Sequence, residues 1–159
     1  MSMTPVLSSP RKAAVGDKVA VLSPSFAAPG FAPEVHEQAV RRLTEVTGLV
    51  PVEYPTTRRL GASARDRADD LNAAFADPEI RAVLATVGGE DQITVVPHLD
   101  PALVRADPKP FLGYSDNTNI LSCCGPTGSP ASTAAPRRCT WVRGRPSTRC
   151  TPEPCVLPC

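Results

Sequence analysis

Ala82-Val83-Leu84-Ala85-Thr86-Val87, closed by Gly88-Gly89, is a short apolar run bounded by turn residues. A run of this length without polar alternation suits a strand buried on both faces, as in a parallel sheet. The pattern occurs upstream as well, where Gly16-Asp17 turns into Lys18-Val19-Ala20-Val21-Leu22 and the run ends at Ser23-Pro24-Ser25. Leu49-Val50-Pro51-Val52 reads as another strand, at an edge because Pro51 has no N–H to give to a ladder. Phe111-Leu112-Gly113-Tyr114 is a further short one.

Helical patterns lie between these runs. Glu34 to Thr47 places Val35, Ala39, Leu43 and Val46 at helical spacing, with Gly48 as the stop. Ser63 to Ala76 predicts a second helix, with Ala68, Leu71, Ala74 and Phe75 inward and Arg65, Asp66, Arg67, Asp69 and Asp70 in water. Asp77-Pro78-Glu79 caps a short turn, and a third amphipathic segment, Gln92 to Leu99, leads through Asp100-Pro101 to Pro108-Lys109-Pro110. Strands alternating with helices at this spacing predict an α/β fold, a parallel sheet with helices on both faces.

Composition divides the chain in two. The 159 residues carry a net charge of +1, but all six cysteines lie beyond Ile120, with five arginines, no lysine and the single acid Glu153. Residues 1–120 are therefore net acidic and free of cysteine. They show no basic stripe with interleaved aromatics, which argues against a nucleic-acid partner. No stretch approaches the ~18 apolar residues of a membrane span. Residues 1–14 form a polar leader, expected to be frayed and without the apolar core of a secretory signal; a cytoplasmic location is the expectation.

In parallel sheets, ligands bind beyond the carboxyl ends of the strands. Three segments converge there: Ser23-Pro24-Ser25, Gly88-Gly89-Glu90-Asp91 and Gly113-Tyr114-Ser115-Asp116-Asn117. A serine where a strand turns into a helix projects its hydroxyl above the sheet, beside a backbone N–H able to stabilise an oxyanion. Asn117 stands where the G-x-S-x-G elbow has its last glycine, and asparagine tolerates strained turn dihedrals. The alternative for Ser115 or Asp116 is a helix N-cap. Gly88-Gly89 is either a strand-ending turn or a place where backbone approaches substrate. Glu90 and Asp91 either grip an amine or are solvated charges. His98 reads as a surface histidine and His36 as a residue of a polar helix face, which leaves Ser115 without a base.

The segments Asp17–Ser25, Ala85–Asp91 and Phe111–Thr118 together resemble the amino-terminal domain of the serine LD-carboxypeptidases, whose relatives include the microcin C immunity peptidases. The resemblance covers roughly residues 15–120. It implies a class I glutamine amidotransferase-like sheet and a serine hydrolase that cleaves an amide next to a free carboxylate. Ser115 would be the nucleophile, the N–H groups of Gly89 and Asp116 the oxyanion hole, and Ser23, Gly88, Glu90 and Asp91 the substrate contacts, with no metal or cofactor. The substrate would be a small muropeptide from cell-wall recycling or an aminoacyl nucleotide, and the intact family member a homodimer. The family takes its glutamate and histidine from a second domain. A serine without that base keeps its proton, so this chain is expected to be inactive. Competing expectations are an amidotransferase-like hydrolase, against which the serine at the elbow speaks, and a non-catalytic α/β binding domain.

Residues 121–159 are expected to be an irregular or disordered tail that leaves apolar sheet surface uncovered and solubility poor. The spacing of Cys124, Cys139, Cys150, Cys155 and Cys159 contains no C-x-x-C and fits no common zinc pattern, while Cys123 adds only an adjacent pair. A disulfide scaffold would demand export. Out-of-frame translation of a GC-rich gene explains more. In the shifted frame the codons spanning Gly128 to Ala135 can encode a glycine-apolar run ending in histidine-glycine-glycine. The family expects a similar run at about this distance after its serine.

Overall fold

The computed structural model describes residues 10–124, and the side chains through Ser122. In chain order the elements are β1 (Lys18–Leu22), α1 (Ala28–Phe31), α2 (Pro33–Thr47), β2 (Val50–Glu53), α3 (Ala64–Ala76), β3 (Ile80–Ala85), α4 (Pro101–Ala106), β4 (Phe111–Leu112) and α5 (Thr118–Cys124). The four strands form one all-parallel sheet in the order β2-β1-β3-β4. The expected parallel sheet with flanking helices is therefore present. Pro51 sits in the edge strand β2, as its missing N–H requires.

Register explains why β1 and β3 are apolar without alternation. Ala20 pairs with Val83 and Leu22 with Ala85, and these four side chains join Ala68, Leu71, Ala74 and Phe75 of α3 in one buried cluster. Val19 and Val21, of opposite parity, are also buried, and they share their face with Glu53 of β2, which hydrogen-bonds His36 of α2. Both faces are thus covered, and each residue of β1 has a side to pack.

Helix boundaries follow local chemistry. Ser63 caps α3 by accepting from the Asp66 N–H at 3.1 Å. Gly48 ends α2 at φ 68°, a left-handed conformation that glycine adopts without strain. The segment from Gln92 to Leu99 departs from the expected amphipathic pattern and forms two 3₁₀ turns, Gln92–Thr94 and Val96–His98. Their closing bonds run from Val95 N–H to Gln92 O and from His98 N–H to Val95 O, and Pro97 has no N–H with which to extend a regular helix.

Burial on α2 and α3 corrects three expectations. Val35 and Val46 are 65% and 69% exposed, while His36 is buried against Glu53. The less exposed stripe of α2 is His36, Val40, Leu43 and Thr47, and Ala39 with the two valines faces away from it. Arg67 and Asp70, expected in water, are buried; Asp70 accepts from both the N–H and the hydroxyl of Thr56. Of the leader, residues 10–14 are described, and Asp17 ties them through the Ala14 N–H at 2.8 Å and Arg11. Helix α5 continues to Cys124 with Leu121 in the core, past the boundary drawn at residue 120. The expectations for the rest of the cysteine-rich tail lie outside the described residues. Among those described, no helix is long and apolar enough to cross a membrane.

Candidate active site

The strand order places β1 and β3 side by side although the chain leaves them in opposite directions, so a crevice opens beyond their carboxyl ends. A cavity of about 530 Å³ lies there, lined by the loops after β1, β2 and β3, among them Ser25, Phe26, Arg59 and Gly88 through Asp91.

Beside it the chain passes from β4 into α5 through Ser115, whose φ of 59° is the only positive value of a non-glycine among the described residues. The left-handed region costs such a residue roughly 1–2 kcal/mol, so the surrounding contacts must hold it. Several do. The Thr118 hydroxyl donates to Ser115 O at 2.9 Å. Buried Asn117 donates to Val87 O and Tyr114 O and accepts from the Gln92 side chain at 2.9 Å. A Cβ on Gly113 would come within 2.8 Å of the Asn117 Cβ, so glycine is required there. Asn117 thus works as a staple and leaves the strained dihedral to Ser115, the reverse of the sequence expectation.

The loop after β3 closes on the serine. A Cβ on Gly88 would stand 2.5 Å from Ser115 Cβ and 3.0 Å from its Oγ, which only glycine avoids. The Gly89 N–H donates to Asp116 Oδ1 at 2.8 Å, so its expected use as an oxyanion donor requires that bond to open. The Asp116 side chain bonds no N–H of its own helix; its contacts reach Ser25, Gly89 and the first residue of the Gln92–Thr94 turn, which sets aside the N-cap of α5 for this residue. Ser115 itself is exposed, and among the described residues no histidine or carboxylate hydrogen-bonds its Oγ. His98 is exposed, as expected.

Two predicted substrate contacts are placed differently. Ser23 is 1% exposed and faces inward, donating to Thr57 O at 2.7 Å and sharing a bond with Thr86 Oγ1. The serine that turns to the site is Ser25, bonded to Asp116 at 2.6 Å. Asp91 lines the cavity, but both its oxygens are taken by Arg67 at 2.9 Å. These bonds hold the Asp91 carboxyl below the usual carboxylate range, against the opposing effect of partial burial. Arg67 also donates to Ser25 O at 2.9 Å, which joins the loops after β1 and β3. Glu90 is exposed on the cavity wall. Arg67 was legible after all: positions 67, 71 and 74 fall on one helical stripe, and two of them were already assigned to the core.

A family model described as the LD-carboxypeptidase N-terminal domain matches residues 19–130. The murein tetrapeptide carboxypeptidase of Pseudomonas aeruginosa is 34% identical over 125 residues, covering 74% of this chain and 38% of the relative. Among solved structures, an MccF-like protein from Bacillus anthracis aligns with a TM-score of 0.72 at 34% identity, covering 77% of this chain and 38% of that one. The microcin self-immunity protein MccF, in complex with aspartyl sulfamoyl adenosine, aligns at 0.70 and 29% identity, covering 78% and 38%. The chain spans well under half the length of the curated relatives it matches. It belongs to the LD-carboxypeptidase family, whose N-terminal domain it carries.

Proposed function

We propose that this domain supplies the nucleophile of a serine-type carboxypeptidase acting on an amide next to a free carboxylate. The observation that carries the proposal is Ser115, exposed at the strand-to-helix turn with φ 59° and with Gly88 packed against its Cβ. A serine in ordinary turn dihedrals would not incur this strain. The hydroxyl attacks the amide carbonyl while its proton passes to a general base, and the oxyanion that develops lies near the Asp116 N–H and the Gly88-Gly89 loop. The leaving amine takes the proton, and water then releases the acyl group from Ser115. The base comes from outside residues 10–124.

The substrate is a small molecule: a terminal residue on a muropeptide, or an amide of an aminoacyl nucleotide. The first is supported by the name of the Pseudomonas aeruginosa relative and the second by the ligand bound to MccF. A cytoplasmic location and a homodimeric assembly belong to the same proposal. The test is a fusion of residues 1–124 to the portion of the Pseudomonas aeruginosa relative that follows its matching segment, assayed with an L,D-tetrapeptide and an aspartyl sulfamoyl nucleoside. Cleavage of either one, abolished by Ser115→Ala, is expected. A folded fusion that cleaves neither refutes the assignment.

A further inference from the structure

Three loops that are distant in sequence meet on one carboxylate. Asp116 Oδ2 accepts from Ser25 Oγ at 2.6 Å and from the Gln92 N–H at 3.3 Å, and Oδ1 accepts from the Gly89 N–H at 2.8 Å. Ser25 follows β1, Gly89 and Gln92 follow β3, and Asp116 follows β4. An aspartate in the first turn of a helix ordinarily serves that helix's own N–H groups, and this one serves other segments instead.

We infer that the Asp116 side chain is a positioning residue that fastens the Gly88-Gly89 loop over Ser115. Two adjacent glycines have more backbone freedom to lose than any other pair, so the loop needs an external hold to keep one conformation. Charge-assisted bonds to backbone N–H groups are among the stronger holds a side chain provides. The geometry leaves no slack: a Cβ on Gly88 would strike Ser115, and one on Gly89 would strike the Ser25 hydroxyl. Asp116 thereby fixes the loop on which the substrate carbonyl must sit, and the Gly89 N–H is the fastening. This consequence rests on Ser115 being the nucleophile, but the contacts themselves are tested without any turnover.

The experiment follows amide hydrogen exchange by NMR in the full 159-residue chain and in its Asp116→Ala variant. Exchange at Gly89 and Gln92 is expected to accelerate at least ~10-fold, the loss of a charge-assisted bond, while Val83 and Leu84 of β3 keep their protection. Formate in large excess, which refills the vacated carboxylate position, is expected to restore Gly89 and Gln92 in the variant and to leave the unsubstituted chain unchanged. Unchanged exchange at Gly89, an equal rise throughout β3, or no response to formate would each overturn the inference. If the alanine variant fails to fold, Asp116→Asn decides the question. Its one acceptor oxygen can stand at the Oδ1 position facing Gly89 or at the Oδ2 position facing Gln92 but not at both, so full protection of both amides refutes the role. Failure of the fusion to cleave substrate, with these exchange results intact, would count against the function and not against the fastening.

Discussion

Replacing Lys109 by methionine should cost this domain about 3 kcal/mol. The Lys109 side chain is fully buried, and its ammonium donates to Ala74 O and Phe75 O at 2.9 Å and to Asp77 O at 2.5 Å, with Asp107 farther off at 3.4 Å. Ala74 and Phe75 lie in the last turn of α3, whose carbonyls have no partner within the helix, and a cation there also meets the negative end of the helix dipole. Each buried acceptor left without a donor costs about 1–3 kcal/mol, so three of them set an upper bound well above the predicted figure. The offset is the cost of burying the ammonium, visible as a downward push on its pKa that Asp107 only partly opposes. Methionine keeps an unbranched apolar side chain one heavy atom shorter, and removes both the ammonium's hydrogen bonds and the cost of burying it. At roughly 3–4 °C per kcal/mol for a domain of this size, the melting temperature should fall by about 10 °C. Urea unfolding followed by circular dichroism on the full chain reads the loss directly, with Asp107→Asn as the control. Asp107 is partly exposed and at long range, so the control should lose less than about 1 kcal/mol. A Lys109→Met variant within 1 kcal/mol of the parent, or a control equally damaged, would refute the capping role.

Two further outcomes follow from single contacts. Ser115→Gly relieves the φ of 59°, and with roughly 1–2 kcal/mol of strain removed against ~1 kcal/mol for ordering a glycine it should leave stability unchanged or raise it by up to about 1 kcal/mol, measured by the same urea titration, while removing the proposed nucleophile; a destabilised glycine variant would contradict the strain. Hydrogen bonds from Arg58 lower the pKa of Glu53 to about 2, with a further bond from His36 and with burial opposing. Because the folded value lies below the ordinary one, this contribution is present above about pH 4.5 and is lost as pH falls toward 2. Both side chains are partly in water, so it amounts to about 1 kcal/mol. Arg58→Gln should flatten that part of the stability–pH curve, and an unchanged acid limb would show that the pair contributes nothing.

The sheet was legible because its evidence is local. Apolar runs at Lys18–Leu22 and Ala82–Val87 need both faces covered, and Pro51 names its own edge; the register in the structure explains the first run and Ala82–Ala85 of the second, whose strand begins two residues earlier, at Ile80, and stops before Thr86. The turn was legible in its residue types, since Gly113 stands where a Cβ would meet Asn117 and Ser115 is exposed between β4 and α5. What sequence could not supply was the direction of polar side chains across loops. Ser23 and Ser25 are chemically identical and two residues apart, and it is Thr57 O and Thr86 Oγ1, 34 and 63 residues later, that hold the first inward. Asp91 looks like a free acid until Arg67 is placed opposite it. On α2 the apolar spacing gave the right helix but a rotated buried face: Leu43 is partly buried as expected, while His36, bonded to Glu53, is buried and Val35 and Val46 are not.

These misplacements share a cause. Ser23, Arg67, Asp91 and Asp116 all spend their polar groups on loop backbone or on one another, at the carboxyl edge of the sheet. A strained Ser115 and a glycine pair beside it are conformations the chain would not hold by itself, at about 1–2 kcal/mol for the serine and about 1 kcal/mol for each glycine that must be ordered. The hydrogen bonds accepted by Asp116 and donated by Asn117 and Thr118 are of the right number and kind to offset that, at about 1 kcal/mol apiece and more where a charge takes part. A residue that looks like a substrate ligand in sequence is therefore as apt to be a strut for the loops around Ser115. The two roles separate on one structural criterion: a ligand keeps free polar capacity facing the cavity, and a strut has none. By it, buried Ser23 is a strut, whereas Asp91, bonded to Arg67 yet exposed on the cavity wall beside Glu90, keeps lone pairs facing the cavity.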